Sequence, residues 1–132
     1  MSVEAGFDGL WELPFKSQEF RHGPVVTQSP SQVELAMDHE TETGDYVWTA
    51  LVFHQVRAFS FVAHPMCSPE QVDAYDRVVS VSRSRWLKTF HGPMSPEVTH
   101  YRIYFDEFGC YDIAAAHFEV RDAISAPPER RH

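Results

Sequence analysis

The chain contains no asparagine and only two cysteines among its 132 residues. Two cysteines do not make the disulfide framework of a small secreted protein. The first 15 residues lack both the basic start and the apolar centre of a secretory signal. No apolar run reaches the length of about 18 residues that a membrane span requires, because polar residues interrupt even the richest stretch, 46–63. These absences predict a cytoplasmic protein with reduced thiols and no membrane partner.

Basic residues are also scarce. Eleven lysines and arginines stand against nineteen acidic residues, which gives a net charge of −8. Nucleic-acid binding usually requires a basic surface, and the sequence shows none, so we expect no nucleic-acid partner. Negative charge most often serves solubility, but it would also attract a basic protein partner.

The local motifs of several common enzyme classes are missing. The chain has no Walker phosphate loop, dinucleotide-binding glycine pattern, HExxH zinc helix or CxxC pair. It also lacks the GxSxG turn of hydrolases. The sequence therefore favours a protein without a cofactor and leans against an enzyme.

Aromatic and β-branched residues, by contrast, are abundant, and 14% of the chain is aromatic. The segment 100–120 alternates in the way that is typical of a half-buried antiparallel hairpin, with a turn at 106–109 that ends in Gly109. One face of its first arm is apolar and consists of Tyr101, Ile103 and Phe105. The other face consists of His100, Arg102 and Tyr104.

The rest of the chain predicts further strands and little helix. Strands are expected at 10–15, at 33–37, over 46–63 with a bend near 54–56, and at 77–82. Ser68, Pro69 and Gln71 form a helix start with a capping box, so a short helix is expected over 69–76. A further helical turn is expected over 84–90. The segment 77–90 also suits helix, and 114–116 breaks the alternation of the return arm, where we prefer a bulged strand to a helix.

Two cysteine-based sites are possible on spacing alone. His64 and Cys67 could supply two zinc ligands, which Cys110, His100 or His117 would complete. A small buried cysteine and a loop histidine are the simpler explanation, so we predict no metal. Cys110 could also act as a nucleophile, but a thiolate needs an electropositive environment. Its neighbours are acidic: Asp106, Glu107 and Asp112. We therefore predict no catalytic residue.

The polar face of the hairpin is the best candidate for recognition. His100, Arg102 and Tyr104, together with Trp48, are our candidate ligand- or partner-binding residues. Trp86 with its flanking arginines, Arg83 and Arg85, could form a small anion or partner patch. We prefer the prediction that Trp86 anchors this segment against the sheet.

The string SRSRWLKTF followed by HYRIYFDEFGCYDIAAAHFEV resembles a pattern in small uncharacterised bacterial α+β domains. The resemblance covers residues 57–120 and brings no catalytic residues with it. Some small acidic bacterial proteins of this type are immunity proteins, which neutralise a cognate toxin. By analogy, the resemblance implies an immunity-type partner.

Together these patterns predict one α+β domain over 1–124 with a frayed tail at 125–132. The domain is expected to hold a twisted antiparallel sheet of about five to seven strands, with a half-barrel as one form, and one or two short helices. The leading predicted function is a non-enzymatic interaction module that binds a basic partner. The alternative is a domain that binds or processes a small molecule in a sheet-lined pocket. A homodimer through an open strand edge is a further prediction.

Overall fold

A computed structural model describes residues 7–90 and 97–124, and it places nine strands in two antiparallel sheets. The strands are β1 Phe7–Glu12, β2 Val25–Ser29, β3 Gln32–Glu40, β4 Tyr46–His54, β5 Ala58–Ala63, β6 Arg77–Val81, β7 Thr99–Phe105, β8 Gly109–Ala115 and β9 His117–Ile124. The five-stranded sheet has the order β1-β6-β7-β8-β5, and the four-stranded sheet has the order β2-β3-β4-β9.

Helical structure is sparse in the described ranges. The α-helix α1 spans only Pro69–Val72, and three single 3₁₀ turns occur at Ser17–Glu19, His64–Met66 and Leu87–Thr89. The predicted α+β class is therefore wrong, since the fold is β-rich. The predicted single sheet of five to seven strands is wrong as well, because nine strands divide between two sheets.

The second sheet was missed because two long runs each pass from one sheet to the other. The run 46–63 places β4 in the four-stranded sheet and β5 in the five-stranded one. The run 109–124 passes in the opposite sense, with β8 in the five-stranded sheet and β9 in the four-stranded one. Backbone hydrogen bonds join the two bends to each other. Arg57 N donates to Ala114 O at 2.7 Å, and Ala116 N donates to His54 O at 3.0 Å. The predicted bulge at 114–116 is thus a corner between sheets.

Several local predictions are confirmed. The bend near 54–56 lies at Gln55, whose φ of 55° lets the chain turn between β4 and β5. The strand at 77–82 is β6. The helix predicted over 69–76 is shorter than expected and the turn over 84–90 is limited to one 3₁₀ turn, whereas the capping box of Ser68 and Gln71 is present.

The main core lies between the facing sides of the two sheets. The four-stranded sheet contributes Val33, Leu35, Met37, Leu51 and Phe53, and the five-stranded sheet contributes Val78, Tyr101, Ile103, Phe105, Tyr111, Ile113 and Ala115. Side chains alternate across a strand, so the residues between these core positions point to the outer faces of the sheets. The apolar face of the predicted hairpin is therefore buried as expected.

The hairpin turn depends on Gly109. Its φ is +144°, and a Cβ there would lie 2.2 Å from Val62 O on the adjacent strand β5. Glu107 takes the left-handed conformation within the turn, with φ 66°. Gly109 thus permits both the turn and the close approach of β5 to β8.

The sheets have open edges at β1, β5, β2 and β9, each of which pairs with one neighbouring strand over the described ranges. The predicted homodimer would use such an edge and stays a prediction. The predicted frayed tail at 125–132 lies outside the described residues.

Candidate functional site

The outer face of the five-stranded sheet carries a cluster of polar side chains. On β7 the residues pointing away from the core are His100, Arg102 and Tyr104, and on β8 they are Cys110, Asp112 and Ala114. Arg102 lies directly opposite Asp112 in the β7–β8 register. The alternation that buries one face of the hairpin thereby collects its polar residues on the other.

Two connecting segments cover this face, and both are held to the sheet. In the first segment, 64–76, Ala74 O accepts from Tyr104 N at 2.9 Å, and Asp76 N donates to Tyr104 O at 2.8 Å. The capping box then fixes Gln71, whose Oε1 accepts from Ser68 N at 2.9 Å. The second segment, 82–90, contains Ser84, Arg85 and Trp86 before the 3₁₀ turn at Leu87–Thr89.

Asp112 is the centre of a buried hydrogen-bond network. Its Oδ1 accepts from His100 Nε2 at 2.5 Å and from Arg102 Nε at 2.6 Å. Its Oδ2 accepts from Gln71 Nε2 at 3.2 Å and more weakly from the Cys110 thiol at 3.6 Å. His100, Arg102 and Asp112 are 1%, 5% and 4% exposed. Both carboxylate oxygens are therefore satisfied inside the protein.

These contacts set the charge of Asp112. Burial alone would raise the pKa of the carboxyl group, but the hydrogen bond from His100 and the positive charge of Arg102 outweigh burial. The pKa of Asp112 consequently lies below its ordinary value, so the group is ionised and paired with Arg102 at neutral pH.

His100 links this carboxylate to the 82–90 segment. Its Nδ1 lies 2.6 Å from Ser84 Oγ, which also accepts from Leu87 N at 3.1 Å. Nε2 donates to the Asp112 carboxylate and Nδ1 hydrogen-bonds the Ser84 hydroxyl, so both ring nitrogens of His100 have a partner. The Trp86 ring packs against the His100 ring, with centroids 4.7 Å apart. The network therefore anchors Ser84 and Trp86 to the sheet.

The order Ser84, His100, Asp112 contains the residue types of a hydrolase triad, but its placement does not suit one. A nucleophilic serine must face the substrate, with the carboxylate behind the histidine. Here Ser84 is 6% exposed, and its oxygen serves the Leu87–Thr89 turn. Asp112, rather than Ser84, lines the adjacent cavity. The array is a structural connection and not a nucleophile with its base.

A cavity of about 330 Å³ opens beside this network, and we call it the outer cavity. Its lining residues are Ser60, Val62, Ser68, Glu70, Gln71, Arg85, Trp86, Arg102 and Asp112. The Arg102–Asp112 pair lies at its buried end, whereas Arg85 is exposed and Glu70 and Trp86 are half-buried. The cavity thus joins a buried ion pair to a polar rim.

The predicted recognition residues do not all come together. His100, Arg102 and Tyr104 share the outer face of the five-stranded sheet, but all three are buried, and only Arg102 lines the outer cavity. Trp48 is buried on the outer face of the other sheet, packed with Ala36 and Ala50. Arg85 and Trp86 line the cavity, whereas Arg83 is not among its lining residues.

The metal candidates converge only in part. His64 Nδ1 hydrogen-bonds the Tyr104 hydroxyl, and Cys67 packs against the apolar cluster that contains Cys110. Within the described ranges no three histidine, cysteine or acidic side chains are placed to hold a metal ion. Burial, followed by the negative charge of Asp112, raises the pKa of the Cys110 thiol far above its ordinary value of 9.0. The expected opposition of Asp112 to a Cys110 thiolate is confirmed.

Sequence reasoning missed Asp112, Gln71 and Glu70 as cavity residues. Asp112 had a usable signal, because it faces Arg102 across a hairpin whose turn was recognised. Gln71 and Glu70 had none, since 41 residues separate Gln71 from Asp112 and only the folded chain joins them.

No helix over 7–90 and 97–124 combines the length and apolar character needed to cross a membrane. Comparisons with protein-family models, curated proteins and solved structures find no match to this chain. The resemblance to small bacterial domains over residues 57–120 therefore stays a prediction.

Proposed function

We propose that this protein binds a small polar molecule in the outer cavity. The observation that carries the proposal is the buried Arg102–Asp112 pair, which lines a cavity open to solvent. This is the alternative among the functions predicted from the sequence. From the predicted face of His100, Arg102 and Tyr104, Arg102 lines the cavity directly, and His100 acts on it only by holding Asp112 in place.

The energetic cost of this pair supports a role beyond folding. Taking a carboxylate and a guanidinium out of water costs several kcal/mol per ion, which their mutual attraction offsets only with good geometry and further hydrogen bonds. Apolar residues of similar volume would stabilise a sheet face at least as well. Asp112 instead has four donors that fix its position at the cavity wall. The pair thus forms a rigid polar wall that need not reorganise when a ligand enters the cavity.

The size of the cavity limits the ligand. A volume of about 330 Å³ lies at the lower end of the range for small-molecule sites, roughly 300–1,000 Å³. The apolar lining comes from Val62 and Trp86, and the rest is polar or charged. A small polar molecule with a limited apolar part fits this composition.

The lining favours binding over chemical conversion. Asp112 is a poor general base because its pKa is lowered and both oxygens are already hydrogen-bonded. The Cys110 thiol is fully buried and its pKa is raised, so it is no nucleophile near neutral pH. Ser84 serves the neighbouring turn. None of the three is available to react with a bound molecule.

The three tryptophans allow a direct test by NMR. Trp86 lines the outer cavity, Trp48 lies on the outer face of the four-stranded sheet, and Trp11 lies on β1. A library of small polar compounds is titrated into ¹⁵N-labelled protein. A ligand in the outer cavity should shift the Trp86 indole signal and the amides of Ser60 and Glu70, while the indole signals of Trp11 and Trp48 stay in place.

A cavity-filling variant supplies the control. Ser60→Phe places a large ring at a half-buried lining position and should abolish the shifts. The matched variant Ser29→Phe changes an exposed residue of β2 and should leave them intact. If no library member shifts Trp86, or if Ser60→Phe binds as well as the wild type, the proposed site is wrong.

A second candidate function, binding of a basic protein partner, is favoured by the acidic connection between β3 and β4. Glu40, Glu42 and Asp45 are all exposed there, and they contribute to the net charge of −8. An immunity-type partner would be of this kind. The test is a pull-down compared between the wild type and the triple variant Glu40→Gln, Glu42→Gln, Asp45→Asn. Loss of a basic partner from the variant alone supports this function, and equal recovery contradicts it.

A further inference from the structure

The charged residues that line the outer cavity fall into two groups. Arg102 and Asp112 neutralise each other within the buried network. Arg85 and Glu70 face the same cavity, and neither makes an ion pair or side-chain hydrogen bond with any described residue. One positive and one negative group are thus left available at the rim, outside the neutral floor.

Resting on the binding function proposed above, we infer that the ligand is a zwitterion of the α-amino acid type. Its carboxylate pairs with Arg85 and its ammonium group with Glu70. Such a molecule meets both rim charges at once, because its own charges are of opposite sign and only a few bonds apart. The neutral Arg102–Asp112 floor adds no net charge that would oppose either end.

Ligands with one charge fit this rim less well. A simple anion would gain from Arg85 but would lie beside the carboxylate of Glu70. A simple cation would gain from Glu70 but would meet the guanidinium of Arg85. Like charges placed together cost free energy, and polar groups left unpaired on binding cost more. A rim with one positive and one negative charge therefore favours a ligand that also carries one charge of each sign.

The remaining lining residues suit the rest of such a molecule. Ser60 lies directly opposite Asp112 in the β5–β8 register, and its hydroxyl has no partner among the described side chains. It can donate to a ligand carboxylate or accept from an ammonium group. The half-buried Trp86 ring and Val62 offer an apolar surface for a short side chain.

The experiment titrates the free amino acids against the wild-type protein by calorimetry, with the Trp86 indole signal as a second readout. The best-binding amino acid is then compared with two derivatives. Its N-acetyl form lacks the ammonium charge, and its amide lacks the carboxylate. We expect each derivative to bind about tenfold more weakly, as loss of one charge-assisted hydrogen bond implies.

Two variants test which residue recognises which end. Arg85→Gln should weaken the amino acid about tenfold but leave the affinity for the amide unchanged. Glu70→Gln should weaken the amino acid by a similar factor and leave the N-acetyl form unchanged. Both residues lie at the accessible rim, so neither variant disturbs the core. Lys88→Gln and Glu19→Gln change exposed charges outside the cavity and should bind as the wild type does.

The outcomes separate this inference from the binding function on which it rests. If only acids or only amines shift the Trp86 signal, the ligand is not a zwitterion, although the cavity remains a binding site. The same conclusion follows if both derivatives bind as well as the amino acid. If no amino acid binds, the inference also falls. If no compound of any charge shifts Trp86, the proposed function falls with it.

Discussion

Arg102 and Asp112 occupy directly opposite positions on β7 and β8, and Arg102 Nε donates to Asp112 Oδ1 at 2.6 Å. The pair is almost completely buried, yet it forms part of the wall of the outer cavity. His100 adds a second donor to the same oxygen. The register of β7 and β8 places the positive charge of Arg102 opposite the negative charge of Asp112. The hairpin therefore forms the floor of the candidate site.

The first prediction concerns this pair. Asp112→Asn keeps the shape of the side chain but removes the buried negative charge that pairs with the Arg102 guanidinium. We expect the free energy of unfolding to fall by about 3 kcal/mol, as for other buried pairs that lose one partner. Denaturant titration followed by circular dichroism measures the loss. Asp8→Asn, at an exposed position of β1, should change it by less than about 0.5 kcal/mol. Equal effects of the two variants would contradict the assigned network.

The second prediction is a pH dependence from Asp38, which is fully buried. Its carboxylate accepts from the backbone N–H groups of Arg21, His22 and Gly23. Burial acts to raise the pKa of Asp38, but these hydrogen bonds outweigh it and the pKa lies below its ordinary value of 3.8. The native state therefore binds fewer protons than the unfolded state at acid pH, and stability falls as pH is lowered.

The stability that Asp38 contributes should be fully present above about pH 4 and lost as pH falls through the lowered pKa. Asp38→Asn should make the fall in unfolding free energy below pH 4 shallower. Asp112 contributes with the same sign, so the double variant with Asp112→Asn should be shallower again. Asp8→Asn serves as control. An acid slope in Asp38→Asn as steep as that of the wild type would show that this carboxylate is not the stabilised group.

The third prediction concerns thiol reactivity. Burial raises the pKa of both Cys67 and Cys110, and Cys110 is completely inaccessible whereas Cys67 is half-buried. Because the thiolate is the reactive form, an aromatic disulfide reagent at pH 8 should modify Cys67 slowly. Cys110 should react only at the rate of unfolding. Cys67→Ala should remove the slow phase. Rapid modification of Cys110 in native protein would contradict its placement under the 64–76 segment.

The fourth prediction compares two glycines. Gly109→Ala puts a Cβ 2.2 Å from Val62 O and also strains a φ of +144°, so both the backbone and β5 must shift. We expect a loss of roughly 3 kcal/mol or more. Gly44→Ala also has a positive φ, +87°, but meets no atom closer than 3.8 Å. Its loss should be only about 1 kcal/mol. Thermal unfolding distinguishes the two, and equal losses would show that the approach of β5 is not tight.

Much of the local structure follows from residue patterns alone. The β7 strand, the turn before Gly109 and the Ser68–Gln71 capping box were all predictable, because each depends on neighbouring residues. The polar face of β7 was identified for the same reason. The division into two sheets was not predicted, since a strand that crosses a corner looks in sequence like one long strand with a phase break.

The break in the alternation at 114–116 marks the corner at which the chain passes from one sheet to the other. Ile113 and Ala115 point into the core from one sheet, and Phe118 points into the same core from the other. The step of three between Ala115 and Phe118 breaks the alternation because the chain changes sheet at Ala116. Local sequence records the irregularity, but the pairing partners of β8 and β9 decide what it is.

By itself the sequence determined which residues alternate, where the chain turns, and which polar side chains share the face of β7. The tertiary structure alone decided that Gln71 and Ser84 would meet the network of Asp112, and that Glu70 and Arg85 would line one cavity. The physical reason is the distance along the chain over which each interaction acts. Alternation and capping act over a few residues, whereas the cavity depends on two connecting segments folding over a sheet whose strands lie far apart in the chain.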